Sequence, residues 1–456
     1  MAKKTTKKMT FSSKIGLIAA TVGSAVGLGN VWRFPAETQE NGGAAFLIIY
    51  IGCVFLLGIP VMLAEFSVGR AGRSDAVGCM KNLGARRGWW SVGGLAIIAS
   101  YIITCFYMVV AGWTIEYLWQ SLTGDLYANA SGSDMKAAFA SRMSEYISTT
   151  WRPLWATFIM IAINIGVLLA GVQKGIERLS NILMPLLFVL LAIFCVQSLT
   201  LPKAAEGVAF FLKPDWSLVT PQTALEALGQ AFFSLSLGMG ILVTYASYFP
   251  KDTRMTRTAV TVSLLDLLVA VMMGLIIFPA VMSFDLTGEG IKGATLVFVT
   301  LPEVFANMPG TRVWSVLFFL LLSVAALTST ISISEVSVAF IRDRFGLSRV
   351  KAVLIVMLPL FLFSSVCSLS QGVLSYITIF GRNIFDFLDT LATNMMLPIV
   401  SFGLCIWVGW FGPKNLLSDE ISNHGTLRTR MIPVIRFIVR YIAPVLIATV
   451  FVCGLL

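Results

Sequence analysis

Gly23-Ser24-Ala25-Val26-Gly27-Leu28-Gly29-Asn30-Val31-Trp32-Arg33-Phe34-Pro35 falls inside an apolar stretch, 14–39, long enough to be a single membrane-spanning helix. Gly27 and Gly29 tolerate backbone angles that other residues resist, so they mark a point where that helix unwinds. A second break of the same kind, Gly238-Met239-Gly240, interrupts the stretch 223–248. In a bilayer, unwound backbone persists only where protein or a wet cavity satisfies its freed N–H and C=O groups. Two breaks in corresponding positions of two halves therefore predict a buried site for ions and a small polar solute, the arrangement of many secondary transporters.

Composition agrees with a polytopic membrane protein. The 456 residues are 57% hydrophobic and 12% charged, against about 25% charged in soluble domains. A spanning helix takes ~20 mostly apolar residues. Eleven stretches qualify: 14–39, 44–69, 91–121, 152–172, 178–199, 223–248, 258–284, 314–341, 351–370, 382–411 and 434–456. The first run is too long, and has no small-residue cleavage site after it, for a removable signal peptide. With a cytoplasmic N-terminus, 24 of the 33 Lys and Arg fall on the inner side. The positive-inside rule thus predicts that orientation in the cell inner (plasma) membrane, and an odd number of spans puts the C-terminus outside.

The same composition excludes other classes. The +10 charge is scattered over short loops, which argues against nucleic-acid binding. The seven cysteines show no metal-ligand spacing, and the one histidine, His424, lies in a polar loop. No histidine-based metal centre or catalytic triad is expected, and isolated acids make a membrane-embedded transferase a poor reading. There is no nucleotide-binding P-loop, so direct drive by ATP is not expected.

The chain divides into a cytoplasmic segment 1–13, a five-helix half 14–199, an outer loop 200–222, a second five-helix half 223–411, a cytoplasmic loop 412–433 and an eleventh span 434–456. Five is odd, so the second half enters the membrane inverted. Within the outer loop 285–313, Ala294–Asn307 is apolar enough for a short helix over the outer face. No obligate protein partner is evident; the partners expected are the lipid bilayer and the solute.

Several residues point to ion chemistry. Unwinding near Gly27 frees carbonyls of residues 23–26, which with the Asn30 amide oxygen suit a hard cation. Small residues at such positions also serve close helix packing. Asp266 sits mid-span in Ser263-Leu264-Leu265-Asp266-Leu267-Leu268-Val269, and an intramembrane acid is a functional-site candidate by default. Thr328 and Ser329 lie in a wholly apolar span, where their hydroxyls either bond back to helix carbonyls or meet a ligand. Glu65, in the second span, is read as a cap for unwound backbone.

At these residues the chain resembles the neurotransmitter:sodium symporter family. The quoted stretch, followed by Glu40-Asn41-Gly42-Gly43, carries the likeness. It recurs at Gly58-Ile59-Pro60 with Glu65 and Gly69-Arg70, at Gln230-Ala231-Phe232-Phe233-Ser234-Leu235-Ser236-Leu237-Gly238, and at Ala325-Ala326-Leu327-Thr328-Ser329. Eleven spans, Met239 and Asp266 are similar to the bacterial branch. The resemblance implies an all-α, LeuT-type core of 5+5 inverted repeats with broken helices 1 and 6.

It also implies two Na⁺ sites. One uses Ala25, Asn30, Ser234 and Asp266 with the substrate carboxylate; the other uses Gly23, Val26, Ala325, Thr328 and Ser329. Relatives that hold a chloride use groups matching Tyr50, Gln230 and Ser234. Here Asp266 supplies a fixed negative charge and Ala270 replaces a polar residue, so chloride independence is expected, and proton counter-transport through Asp266 is a further possibility.

Amine carriers have an aspartate at the position of Gly27. Glycine there implies an amino acid whose carboxylate meets Tyr107, near Ala25 and Gly29. Its ammonium would meet the segment Phe233–Ser236, its side chain would lie among Ile103, Val110, Phe233, Ser236, Met239, Ser329 and Ile333, and Ser234 and Gly238 are counted with the substrate-binding residues. That mainly apolar wall favours a hydrophobic or aromatic L-amino acid. Arg33 with Asp389 resembles an outer gate, and Lys8 with Asp343, beside Phe11 and Tyr248, an inner one. Gly175 and Pro185 in the fifth span match a spacing at which this family's helix unwinds on the inner side. The reading is a sodium-coupled symporter working by alternating access; the alternative is a sensor or channel-like protein that keeps the binding fold.

Overall fold

The computed structural model describes residues 10–86, 88–128, 135–284 and 293–453. Ser13 opens the first helix, its hydroxyl accepting from Gly16 N. Helix α1 (Lys14–Ala25) stops where Val26 turns to ψ 106°, and α2 (Gly29–Glu40) leaves at 53° to it. Next come α3 (Ala44–Gly72), α4 (Ala76–Asn82), α5 (Trp90–Thr123), α6 (Met135–Ser148), α7 (Trp151–Gly171) and α8 (Arg178–Leu199). After a short α9 (Ala204–Leu212), α10 (Pro221–Ser234) starts on a Thr220–Thr223 capping box with Pro221 in its first turn, which satisfies the orphan amides there.

The chain then unwinds until α11 (Ile241–Ala246). It continues through α12 (Met255–Ser283), α13 (Leu296–Ala306), α14 (Thr311–Phe345), α15 (Arg349–Leu369), α16 (Ile384–Phe411), α17 (Leu416–Ile421) and α18 (Ile432–Cys453). A two-residue antiparallel ribbon, Thr378–Ile379 with Arg382–Asn383, is the sole sheet among the described residues.

Eight runs are long and apolar enough to cross a membrane, or nine with the bent pair α1 and α2. One of the eight, Trp151–Leu199, has 49 residues, a helix of about 73 Å where ~30 Å of hydrocarbon must be crossed. Gly171, at φ 90° and ψ −174°, leaves helical space and divides it into α7 and α8. The two pieces also choose different neighbours, α5 and α15 for α7, α12 and α1 for α8. The pair α10 and α11 supplies a further span, too broken to count by length.

Both breaks lie where the glycines predict, but the second is longer. It begins at Leu235, not Gly238, and Ser236 takes φ 55°, a left-handed conformation uncommon for a residue with a Cβ. Its hydroxyl donates to Ser24 O at 2.8 Å, so one break is tied to the other. Gly238 and Gly240, at φ 77° and 71°, complete the reversal. Helices α5 and α14 pack closely along the middle of the molecule, and α1 lies against α14. Apolar residues such as Trp155, Ile182, Val189 and Leu362 face outward, as a lipid-bathed surface requires. The segment 172–177 is a wide helical turn and α8 runs on across Pro185; the inner end of the fifth span is wound in this structure.

Candidate substrate and ion site

Asp266 is fully buried on α12, beside the first break. Asn30 Nδ2 donates to its Oδ1 at 2.9 Å, Ser234 Oγ to its Oδ2 at 2.6 Å, and Tyr50 Oη at 3.4 Å. Asn30 Nδ2 also reaches Ser234 Oγ at 3.0 Å. All these donors are neutral, and among the described residues no cationic side chain pairs with Asp266. A carboxylate taken out of water without a counter-charge costs several kcal/mol. The donor set of carboxylate, hydroxyl and amide therefore fits a small hard cation. Asn30 is on α2, Ser234 ends α10 and Asp266 is on α12, so three elements must come together to form it.

A second oxygen cluster lies between α1 and α14. Ser329 Oγ stands 3.5 Å from Gly23 O and 3.4 Å from Val26 O. The adjacent Thr328 Oγ1 donates to Ala325 O, one turn back, at 3.0 Å. A Cβ on Gly23 would sit 3.2 Å from Thr328 Cβ, so glycine brings the two helices this close. The five residues named from the sequence thus converge, and this cluster is uncharged.

Between the clusters, Leu28 N donates to Tyr107 Oη at 3.3 Å. A Cβ on Gly27 would lie 2.7 Å from Ser329 Oγ and 3.2 Å from Tyr107 Oη, and one on Gly29 would lie 2.8 Å from the Phe233 ring. Ile103, Val110, Ser236, Met239 and Ile333 are buried and Phe233 is half-buried. Ala25 ends α1 at the same level. Gly238 turns elsewhere: its N–H donates to Glu65 Oε1 at 2.7 Å, and its Cα faces Leu397 and Ser401 of α16. Its part is to shape the break, with Glu65 satisfying the freed amide, rather than to line the pocket.

The outer gate differs from expectation. Arg33 pairs with Glu37, one turn on, at 3.5 Å, not with Asp389, and its guanidinium covers the Phe233 ring at 5.0 Å. Glu37 shares the helix of Arg33 and reaches it without any closure. A cavity of about 280 Å³ lies beside Phe233, bounded by Arg33, Glu37, Glu226 and Thr393.

Lys8 lies outside the described residues; Asp343 is held by Arg342 at 2.8 Å. Phe11 and Tyr248 are brought together at this end as expected, and Glu177, Glu335 and Arg349, which the sequence reading passed over, join them. Glu177 accepts from Ser12 N at 2.8 Å and Ser13 Oγ at 2.8 Å. Phe11 N donates to Tyr248 O at 3.1 Å. Tyr248 Oη donates to the fully buried Glu335 at 2.8 Å, and Arg349 reaches the same carboxylate at 2.7 Å. Glu335 in an apolar span carries the same signal as Asp266 and was legible by the same rule.

Two discontinuous helices that meet beside a buried carboxylate without a cationic partner define a secondary transporter of the membrane. The chain belongs to the Sodium:neurotransmitter symporter family, whose model matches residues 8–137 and 134–456. It is 36% identical over 445 residues to an uncharacterized sodium-dependent transporter, YhdH, of Bacillus subtilis, covering 98% of this chain and 97% of that protein. It is 27% identical to the sodium-dependent serotonin transporter of Drosophila melanogaster, covering 98% of this chain and 76% of that one. Among solved structures it is similar to MhsT in complex with L-phenylalanine, with a TM-score of 0.88, 40% identity, and coverage of 98% of this chain and 100% of that one. The all-α LeuT-type fold holds, and the protein is a transporter rather than an enzyme.

Proposed function

We propose that the protein imports a hydrophobic or aromatic L-amino acid together with two Na⁺ ions, without need of chloride. The observation that carries this is Asp266, buried among neutral donors beside an unwound helix. One ion is held by Ala25, Asn30, Ser234 and Asp266 with the substrate carboxylate. The other is held by Gly23, Val26, Ala325, Thr328 and Ser329. The ammonium meets carbonyls of Phe233–Ser236, where the helix ends and the chain unwinds from Leu235. The side chain lies among Ile103, Val110, Met239 and Ile333, an apolar wall in which Met239 adapts to shape. MhsT, the similar structure, was solved with phenylalanine.

Coupling follows from shared ligands. An ion that touches the substrate carboxylate and Asp266 raises the affinity for the substrate, and the substrate raises the affinity for the ion by the same factor. The N-terminus lies in the cytoplasm and the C-terminus outside the inner membrane, in accord with the distribution of Lys and Arg. Phe11, Glu177 and the Tyr248–Glu335–Arg349 group close the inner path, while Phe233 and Arg33 sit over the site from outside.

The test is uptake of labelled amino acids into proteoliposomes with an inward Na⁺ gradient, in chloride and in gluconate. Concentrative uptake of aromatic or branched amino acids in both anions is expected. Uptake that survives replacement of Na⁺ by choline, or that stops in gluconate, would overturn the corresponding part of the reading. Binding without concentrative uptake would favour a sensor.

A further inference from the structure

Away from the transport path, a groove runs between α16 and α18 on the outer surface of the bundle. Its walls include Phe402, Ile406, Trp410, Tyr441 and Val445. Toward the 412–433 loop it continues past Arg436 and Phe437. These walls are apolar, as a lipid-facing surface should be, yet Arg440 lines both parts. Arg440 lies eight residues into a helix that begins at Ile432, about 12 Å along its axis. An arginine at that depth is costly and marks a functional surface by default.

Its surroundings hold the guanidinium without neutralising it. The Cζ atom lies 4.0 Å from the centre of the Trp410 ring and 5.3 Å from that of Tyr441. Trp410 Nε1 donates to Arg440 O at 3.0 Å. A Cβ on Gly409 would meet Arg440 Cα at 2.9 Å, so the two helices touch at this level and fix the floor of the groove. Ring faces attract a cation, but they leave strong N–H donors without acceptors of matching strength. The buried Nε of Arg440 has no hydrogen-bond partner, and among the described residues no carboxylate pairs with the guanidinium.

One turn nearer the loop, Arg436 reaches Ser418 Oγ and, at 3.2 Å, Lys414 O. Residues 412–440 also hold Lys414, Arg428 and Arg430 against two acids, Asp419 and Glu420. Glu420 is engaged by Arg70 at 2.5 Å. The rim is therefore net positive.

We propose that this groove binds the phosphodiester headgroup of an anionic phospholipid from the leaflet adjoining the 412–433 loop. Arg440 and Arg436 meet the phosphate. An acyl chain lies along Phe402, Ile406 and Val445, and Trp410 and Tyr441 sit at the level of the glycerol, where aromatic rings favour the interface. A basic pocket between helix ends is suited to anionic headgroups. The positive rim disfavours headgroups that end in a quaternary ammonium. Which leaflet this is follows the orientation proposed above; the site itself does not depend on transport.

The test is native mass spectrometry of the purified protein titrated with phosphatidylglycerol or phosphatidylcholine, with glycerol 3-phosphate as competitor. Phosphatidylglycerol is expected to be retained roughly fivefold or more over phosphatidylcholine, the worth of about one basic residue near an anionic bilayer. Arg440→Gln should abolish that preference, Arg436→Gln should weaken it, and Arg440→Lys should keep most of it. The unfolding temperature checks each variant, and if Arg440→Gln does not fold, Arg436→Gln decides. Equal retention of the two lipids by the unaltered protein, or an unchanged preference in the glutamine variants, overturns the proposal. Displacement by glycerol 3-phosphate would assign the site to a soluble phosphoanion instead, and also overturns it.

Discussion

Replacing Asp266 by asparagine tests the ion chemistry most directly. The change keeps the shape and removes the charge. In the structure this carboxylate is fully buried and accepts from Ser234 at 2.6 Å, Asn30 at 2.9 Å and Tyr50 at 3.4 Å, none of them cationic. Deleting one member of a buried ion pair costs about 3–5 kcal/mol. The hydroxyl of Ser234, the Asn30 amide and the substrate carboxylate remain as ligands, so the lower end applies. About 3 kcal/mol corresponds to a fall in Na⁺ affinity of roughly 100-fold. The assay is binding of a labelled aromatic amino acid to purified protein as sodium gluconate replaces choline gluconate at constant ionic strength. The half-saturating Na⁺ should rise by about two orders of magnitude in Asp266→Asn. A rise smaller than about threefold would refute the assignment, because a direct charge partner cannot be worth so little when buried. The variant should also gain what the natural protein lacks. Tyr50, Ser234 and Asn30 then all point donors at a position without charge, so added chloride should restore part of the affinity in the variant and change nothing in the unaltered chain.

Gly27→Ala should lower amino-acid affinity at least about fivefold, since its Cβ meets Ser329 Oγ at 2.7 Å and overpacking of this kind costs ~1–3 kcal/mol; unchanged binding would place the pocket elsewhere. Glu335→Gln removes the counter-charge of Arg349 from a buried site, a loss of about 3 kcal/mol. It should open the inner side, read as faster hydrogen exchange across Lys14–Ala25 at fixed Na⁺; exchange no faster than in the unaltered protein would rule out the latch. Pro185→Ala strengthens a helix already wound across that position, so inward release, measured as efflux from loaded proteoliposomes, should slow while outward-side binding is kept. Equal efflux would remove α8 from the release step.

Much of this architecture was written in residue patterns that act locally. Gly27, Gly29, Gly238 and Gly240 mark where helices stop because glycine frees the backbone whatever surrounds it. Asp266 stands out because an acid in an apolar run has few structural uses. The tie between Gly238 N and Glu65 was foreseeable for the same reason. What escaped is what depends on choice among partners. Arg33 had Glu37 one turn away on its own helix and Asp389 on a distant one, and spacing cannot say which wins in a given conformation. The early start of the second break at Leu235 is also non-local, because Ser236 is held at φ 55° by Ser24 O across the site. The 49-residue run from Trp151 to Leu199 was already legible as two spans, 152–172 and 178–199, and Gly171 is the residue that separates them.

That distinction bears on how coupling is built. The two breaks are joined directly, through Ser236 Oγ to Ser24 O and through Gln230 Nε2 to Gly29 O at 3.3 Å. The charged cluster joins both breaks, through Asn30 and Ser234, to the continuous helix α12, and the neutral cluster joins the first break to the continuous α14. A cation at either place pulls an unwound segment against a rigid element. A solute between the breaks feels both, since Tyr107 Oη and Ser329 Oγ approach Gly27 from opposite partners. Ion and solute are therefore linked through one short stretch of backbone, residues 23–30, and a rearrangement there is felt at both clusters, without any long relay through the bundle. Because α1 carries that stretch and its inner end is pinned by Glu177 and Tyr248, releasing those pins moves the ligands of the neutral cluster first. On the proposed two-ion reading an order of departure follows: an ion between Gly23 and Ser329 would leave before one at Asp266. Fast-exchange measurements should show loss of the α1–α14 contact preceding loss of the substrate, and simultaneous loss would contradict this linkage.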